Sequence, residues 1–329
     1  MALTALRYTA ALAQLLASSL ALSQVTPANS ALNYPVKPVR VVIPYAPGGG
    51  VDIVGRLTGA KLGEEYKQQF IADNRMGGGG IVGNDIVAKA PADGYTLLAM
   101  NSALTYLPAL YPKIPYVTLR EFAPITLIGV TPSVLVVNPA VPAKSTRELI
   151  ALMKAKPGQI NYAAGVGGTL HLAVALFEDM AGVKGTLIPY KGGGPALIDT
   201  VSGQVQMMIV PVVSAIGHIK SNRLRALGVS GARRSPMLPD VPTIADTGVP
   251  GYEYITWYGL LAPAATPRPI IAKLNQSVAR ALAGAELRER FAQQGVEVEA
   301  STPEQFTALL QKELPRWAQI IKAAKIQGE

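Results

Sequence analysis

Three times along this chain a short apolar run ends in glycines and a helical stretch follows at once. Val39–Ile43 leads into Gly48, Gly49 and Gly50, residues 160–163 lead into Gly165, Gly167 and Gly168, and residues 186–188 lead into Gly192, Gly193 and Gly194. Short β-branched runs of this kind read as buried strands, and their alternation with helical stretches predicts parallel sheets with helices on both faces. Such sheets take ligands at the carboxyl ends of their strands. There the first helical turn offers unpaired N–H groups and a partial positive charge, and glycine lets a ligand approach that backbone. The layout therefore points to an α/β protein with an anion-ready cleft.

The rhythm extends along most of the chain. Strands are expected near 39–43, 70–72, 95–100, 125–137, 160–163, 186–188, 205–210, 224–228 and 252–262, with helices over 52–68, 81–90, 145–155, 169–181, from the 190–195 loop to 201, 268–283, 285–294 and 303–325. The segment 232–249 is rich in proline and glycine and reads as irregular. Ser145 with Glu148 three residues on predicts a capping box. In the last helix, Phe306, Leu310, Trp317, Ile320 and Ile321 recur near helical spacing and read as core, and Pro315 predicts a kink. With 329 residues the chain is sized for about two domains. Two similar α/β units are expected, one interrupted by the other: residues 31–131 and 254–329 as lobe one and 132–253 as lobe two. The long strands near 125–137 and 252–262 then form a two-crossing hinge beneath the cleft.

Residues 1–30 differ from the rest. Arg7 precedes an apolar stretch over 10–22, and Ala28-Asn29-Ser30 precedes Ala31, the three-part layout of a secretory signal peptide cleaved near Ser30/Ala31. The stretch is shorter than the ~20 residues of a membrane span. An exported, periplasmic protein is expected.

Several chemistries are excluded. No cysteine is present, so disulfides, thiolate metal sites and cysteine nucleophiles are ruled out. The two histidines, His171 and His218, stand far apart for a zinc site, and no metal or cofactor is expected. No Gly-Lys-Ser/Thr or Gly-x-Ser-x-Gly sequence occurs, and Gly48-Gly49-Gly50 is followed by Val51-Asp52-Ile53 and so does not fit a Gly-x-Gly-x-x-Gly loop, which argues against nucleotide enzymes and serine hydrolases. His171 reads as a histidine packing at a helix start, and the acidic pairs Glu64-Glu65, Glu178-Asp179 and Glu297/Glu299 read as surface charge. The formal charge of +9 suits an anionic partner, but the lysines and arginines are scattered without interleaved aromatic residues, so nucleic acid is not expected.

A longer pattern runs through these loops. Tyr34-Pro35-Val36-Lys37-Pro38-Val39-Arg40 is followed by Pro44-Tyr45-Ala46-Pro47-Gly48-Gly49-Gly50-Val51-Asp52, then by Asp73-Asn74-Arg75 and Ala90-Pro91-Ala92-Asp93-Gly94-Tyr95. Gly168-Thr169-Leu170-His171, Pro189-Tyr190-Lys191-Gly192, Leu238-Pro239-Asp240-Val241-Pro242-Thr243 and Trp257-Tyr258-Gly259-Leu260 complete it. This order resembles the tripartite tricarboxylate transporter substrate-binding proteins, the Bug family, over nearly all of the chain past residue 30. The resemblance implies a two-lobed periplasmic binding protein of type II, not an enzyme. Such a receptor closes on a small organic carboxylate and hands it to the membrane subunits of a tripartite tricarboxylate transporter, or, as the alternative, signals to a membrane partner without transport. A monomer is implied. By position, the ligand-binding residues it implies are Tyr45, Pro47, Gly48 and Gly49, with Asn101 and Ser102 after the third strand, and Gly168, Thr169 and Tyr190 from lobe two. Asp52 fits a loop brace better than a ligand contact. Where relatives carry acidic residues, this chain has Gln206 and Val210. If position 210 faces the cleft, a ligand with an apolar body is favoured.

Overall fold

The computed structural model describes residues 33–190 and 192–327, and the expected signal peptide, its cleavage point and Lys191 lie outside the described residues. In chain order the elements are β1 (Val39–Ile43), α1 (Gly50–Tyr66), β2 (Phe70–Asn74), α2 (Ile81–Ala88), β3 (Thr96–Asn101), α3 (Ala103–Leu110), α4 (Thr118–Glu121) and β4 (Phe122–Val137). Then come α5 (Thr146–Ala155), β5 (Asn161–Ala164), α6 (Thr169–Ala181), β6 (Thr186–Pro189), α7 (Gly193–Ser202), β7 (Met207–Pro211), α8 (Val212–Lys220) and β8 (Arg225–Val229). The chain ends with α9 (Ile244–Thr247), β9 (Ile255–Pro263), α10 (Arg268–Ala283), α11 (Ala285–Gln293), β10 (Glu297–Val298) and α12 (Pro303–Ala324).

The strands form two groups that share β4. In the first, β1 pairs parallel with β2 and β3, β9 runs antiparallel between β3 and β4, and β10 adds to β4. In the second, β6, β5 and β7 are mutually parallel neighbours, and β7 and β8 pair antiparallel with β4. Within β4, residues up to Pro132 serve the first group and Ser133 onward serves the second.

Burial follows from this arrangement. Strand β1 is apolar on both faces, as a parallel strand with helices on both sides must be. Val39, Val41 and Ile43 pack with α1 and α10, whereas Val42 packs with Leu98, Met100 and α2. On α12 the five expected core residues are all buried. The helix continues through Pro315 to Ala324.

Three expectations change. The second long strand starts at Ile255, not 252, and pairs only within the first group. Its lead-in docks on α6 instead, because the Tyr252 hydroxyl donates to the Ala173 carbonyl at 2.9 Å and the Tyr254 hydroxyl to the Thr169 carbonyl at 2.7 Å. Ser145 does cap α5, accepting from the Glu148 N–H at 3.2 Å, but the Glu148 carboxylate reaches back one residue further, to the Lys144 N–H at 2.8 Å. Glu178 is not surface charge. It is 5% exposed and accepts from the Gly185 N–H and from Lys184, which fastens the turn after α6.

Where β4 and β9 stop pairing, Ser230 joins them. Its hydroxyl accepts from the Ser133 N–H at 2.8 Å and donates to the Tyr254 carbonyl at 2.6 Å, and its own backbone bonds Ser133 and Tyr254 as well. The two connections between the strand groups are thereby fastened at one fully buried residue.

Candidate functional site

The glycine loops all stand at the carboxyl ends of parallel strands. In the first group, the Tyr45 hydroxyl donates to the Gly79 carbonyl at 3.0 Å and lies 3.3 Å from Asn101 Oδ1. This gathers the loops after β1, β2 and β3. In the second, a Cβ on Gly165 would stand 3.3 Å from the Tyr190 carbonyl, and one on Gly193 would stand 3.4 Å from Leu170 Cδ1. This gathers the loops after β5 and β6.

The lead-in to β9 and the strand itself connect the two sets. Tyr254 holds the Thr169 carbonyl at the start of α6, and four residues on, the Tyr258 hydroxyl lies where a Cβ on Gly50 would come within 2.6 Å of it. At about 3.3 Å per residue the two anchor points are roughly 13 Å apart along the chain. The N-termini of α1 and α6 thus approach one short segment from opposite strand groups.

Both helices begin without a side-chain cap. Gly49 and Gly168 are the N-caps, and neither α1 nor α6 has a side-chain capping bond. Helices α5, α9 and α12 are capped by Ser145, Thr243 and Thr302, whereas α2, α4, α7, α8, α10 and α11 also begin without a side-chain cap. The first intrahelical bonds run from Ile53 to Gly49 and from Leu172 to Gly168. The N–H groups of Gly50, Val51 and Asp52, and of Thr169, Leu170 and His171, therefore have no acceptor among the described residues. Unpaired first-turn N–H groups of this kind form a built-in anion site.

The residues singled out from sequence take different places around these donors. Pro47, Gly48 and Gly49 are exposed, and Tyr45, Asn101, Gly168, Thr169 and Tyr190 are half-buried. Several of their own amides are used internally. Gly48 donates to Asp52 Oδ2 at 2.9 Å, Gly168 to the Gly165 carbonyl, Tyr190 to the Ala164 carbonyl, and buried Ser102 to the Trp257 carbonyl. Asn101 Oδ1 caps the Ala103 N–H at 3.0 Å, and the Tyr190 hydroxyl is held by Asp199 at 2.6 Å. The donors left free lie one to three residues beyond the glycines, a shift fixed by local hydrogen bonds that spacing does not reveal.

Asp52 is a brace. Its carboxylate, 3% exposed, accepts from Gly48, from Arg56 at 2.9 Å and from Asn74 at 2.9 Å. Burial pushes this carboxyl up, but Arg56, Gly48 and Asn74 outweigh it and hold it below the usual range. A carboxylate satisfied in this way can stand at the start of α1 without claiming its free amides. His171 likewise serves the loop, its Nδ1 accepting from the Gly167 N–H at 3.1 Å. Burial and then Lys184 lower its pKa, so it is a neutral acceptor here.

Two positions depart from expectation. Val210 is 2% exposed and packs in the core of the second strand group beside Val134, its ladder partner. Leu170 and Tyr190 border the same cluster. The second is a cavity of about 540 Å³ whose lining holds none of the glycine-loop residues but does include Tyr254, the partner of the Thr169 carbonyl. It is lined by Val130, Pro132, Ile255, Trp257 and residues of α12 such as Arg316 and Trp317. Along a strand, alternate residues face opposite sides. Thr131 and Tyr258 therefore face away from this cavity, on the side of α1. The cavity lies between β4, β9 and α12, on the opposite face of these strands from Tyr258.

Comparison with known proteins agrees with this geometry. Residues 54–326 match the TctC family, described as the tripartite tricarboxylate transporter family receptor. The chain is 42% identical over 294 residues to a UPF0065 protein of Pseudomonas sp. strain P51, covering 88% of this chain and 86% of that one. It is 37% identical to the protein BugT of Bordetella pertussis, covering 89% and 91%. Among solved structures, an adipate-bound protein of R. palustris superposes with a TM-score of 0.76 at 34% identity, covering 89% and 99%. MatC from Rhodopseudomonas palustris with bound malate superposes with a TM-score of 0.72 at 33% identity, covering 88% and 100%. The periplasmic binding protein BugD gives 0.73 at 32%, covering 90% and 100%. The α/β fold, the uncapped helices at the glycine loops and these matches agree, and the chain belongs to the tripartite tricarboxylate transporter receptor family, the Bug-type solute receptors.

Proposed function

We propose that this receptor binds a small organic carboxylate between two lobes, gripping it with the first-turn amides of α1 and α6. The observation that carries this reading is the pair of glycine-capped helices whose free N–H groups approach the same short segment from opposite strand groups. Residues 31–131 and 254–329 make lobe one and 132–253 make lobe two. Tyr45, Pro47, Gly48 and Gly49 shape the wall of the first helix start, with Asn101 and Ser102 beside them. Gly168, Thr169 and Tyr190 shape the second wall. Adipate and malate, the acids in two relatives, are both dicarboxylates and point to that class. The lobes turn about the β4 crossing and the Ser230 junction, and the ligand favours the closed form because only there do both helix starts reach it. The loaded receptor then meets the membrane subunits of a tripartite tricarboxylate transporter in the periplasm, after cleavage near Ser30/Ala31. One chain carries both walls, so a monomer suffices.

A thermal-shift screen of mono- and dicarboxylates tests this on protein freed of co-purified ligand. Saturation at about 100 times Kd adds ~2.7 kcal/mol, a rise of about 4 °C in Tm for a chain of this length. No shift with any carboxylate contradicts the reading.

A further inference from the structure

We propose that Tyr258 and Thr131, from the adjacent strands β9 and β4, form a hydroxyl pair at the N-terminus of α1 that receives a carboxylate oxygen of the bound acid. This inference rests on the α1 site proposed above and names side chains that site had lacked.

Four observations carry it. First, both residues project to the α1 side of the crossing strands, because their neighbours Val130, Pro132 and Trp257 line the cavity on the other side. Second, the Tyr258 hydroxyl sits at the helix start itself, within 2.6 Å of the place a Cβ on Gly50 would take. Position 50 must stay bare for the phenol to reach the free amides. Third, Tyr258 is 9% and Thr131 4% exposed, so each is a placed group and not a surface hydroxyl. Fourth, Thr131 Oγ1 is buried beside the phenol, near enough to favour its ionised form, yet stands outside hydrogen-bond geometry with it and with every other group among the described residues. A buried hydroxyl without a partner is a cost to the fold, and native proteins retain few of them.

The chemistry selects the ligand atom. Neutral hydroxyls beside the unpaired N–H groups of Gly50, Val51 and Asp52 make a cluster of donors that an acceptor completes. Burial raises the Tyr258 pKa, so the phenol keeps its proton and remains a donor. The one carboxylate at the helix start, Asp52, is consumed by Gly48, Arg56 and Asn74 and offers the ligand no competing charge. A ligand carboxylate therefore meets amides from the helix and hydroxyls from the strands. The strand pair also lets the hinge sense occupancy, because Thr131 lies two residues before Ser133, where β4 passes to the second strand group.

The test uses the full mature receptor and the carboxylate with the largest thermal shift in the screen. Binding is measured by calorimetry for Tyr258→Phe, Thr131→Val and Thr131→Ser. Tyr258→Phe and Thr131→Val are each expected to weaken binding about tenfold, and Thr131→Ser to retain it. Removing an orphaned hydroxyl should also leave the unliganded Tm of Thr131→Val unchanged or higher, which a purely structural role does not produce. If Tyr258→Phe lowers the unliganded Tm, the Val/Ser contrast at position 131 decides. Wild-type affinity in both Tyr258→Phe and Thr131→Val, with binding abolished by Gly49→Asp, overturns the hydroxyl pair and leaves the α1 site standing. Wild-type affinity in Gly49→Asp as well overturns the α1 site and this inference together.

Discussion

Gly49→Asp is expected to abolish carboxylate binding in a protein that folds as well as its parent. Gly49 is the N-cap of α1, with φ −77° and ψ 164°, a conformation open to any residue. A Cβ there meets only the Ala46 carbonyl, at 3.5 Å, an ordinary contact. Aspartate is a good N-cap, so the helix gains a few tenths of a kcal/mol at most relative to glycine. Its carboxylate, however, takes the free first-turn amides and places a negative charge where the ligand's own must lie. Two like charges about 4 Å apart at a partly screened site cost on the order of 4 kcal/mol, or two to three orders of magnitude in affinity. Gly49→Asn separates charge from bulk and should bind more tightly than Gly49→Asp. Thermal denaturation and calorimetry on the same samples read both halves of the expectation. A Gly49→Asp protein that is folded and binds as the wild type removes the first loop from the site.

Asp52→Ala is expected to be the more damaging change to the fold. The lost carboxylate leaves the Gly48 N–H, the Arg56 guanidinium and the Asn74 amide without their shared acceptor. Arg56 is about half exposed, which reduces its share through solvent screening. The remaining buried bonds set the loss at about 2–3 kcal/mol. The pH dependence follows from the depressed carboxyl of Asp52. Its stabilising contribution is complete above the unfolded value of about 3.9 and is lost as pH falls through the lower folded value. Urea titrations of wild type and Asp52→Ala should therefore differ fully at neutral pH and converge below about pH 4. A constant difference across that range contradicts the brace. Binding should also weaken in Asp52→Ala, because the glycine loop it holds is the wall of the helix start.

Much of this architecture was legible from residue order. Helix α6 has the bounds its sequence predicts, Thr169–Ala181, because Gly168 starts it and Gly182, in the left-handed conformation at φ 60°, ends it. Helix α10 is equally sharp. Helix α3 was missed because Pro108 lies inside it and its sequence, Ala103–Leu110, is apolar all round with no polar face to set a period. The start of β9 was misjudged because Tyr252 and Tyr254 have strand-like composition but spend their hydroxyls on α6. The glycines mark where α1 and α6 begin. Which amides remain free depended on bonds such as Gly48 to Asp52, where a carboxylate four residues on competes for the donor. Tyr258 and Thr131 were hidden for a different reason. The β4–β9 register shifts between Pro124 and Thr126 and again between Leu127 and Gly129, so strand parity read from sequence alone does not say which side chains face α1.

The central claim is that main-chain N–H groups at two helix starts, one in each lobe, hold the ligand's acid group. Amide chemical shifts of 15N-labelled receptor, recorded with and without a saturating carboxylate from the screen, test it directly. The account predicts large downfield proton shifts at Gly50, Val51 and Asp52 and at Thr169, Leu170 and His171 in the same complex. Shifts confined to one of these helix starts, or centred on Trp257, Arg316 and Trp317 behind the crossing strands, contradict it.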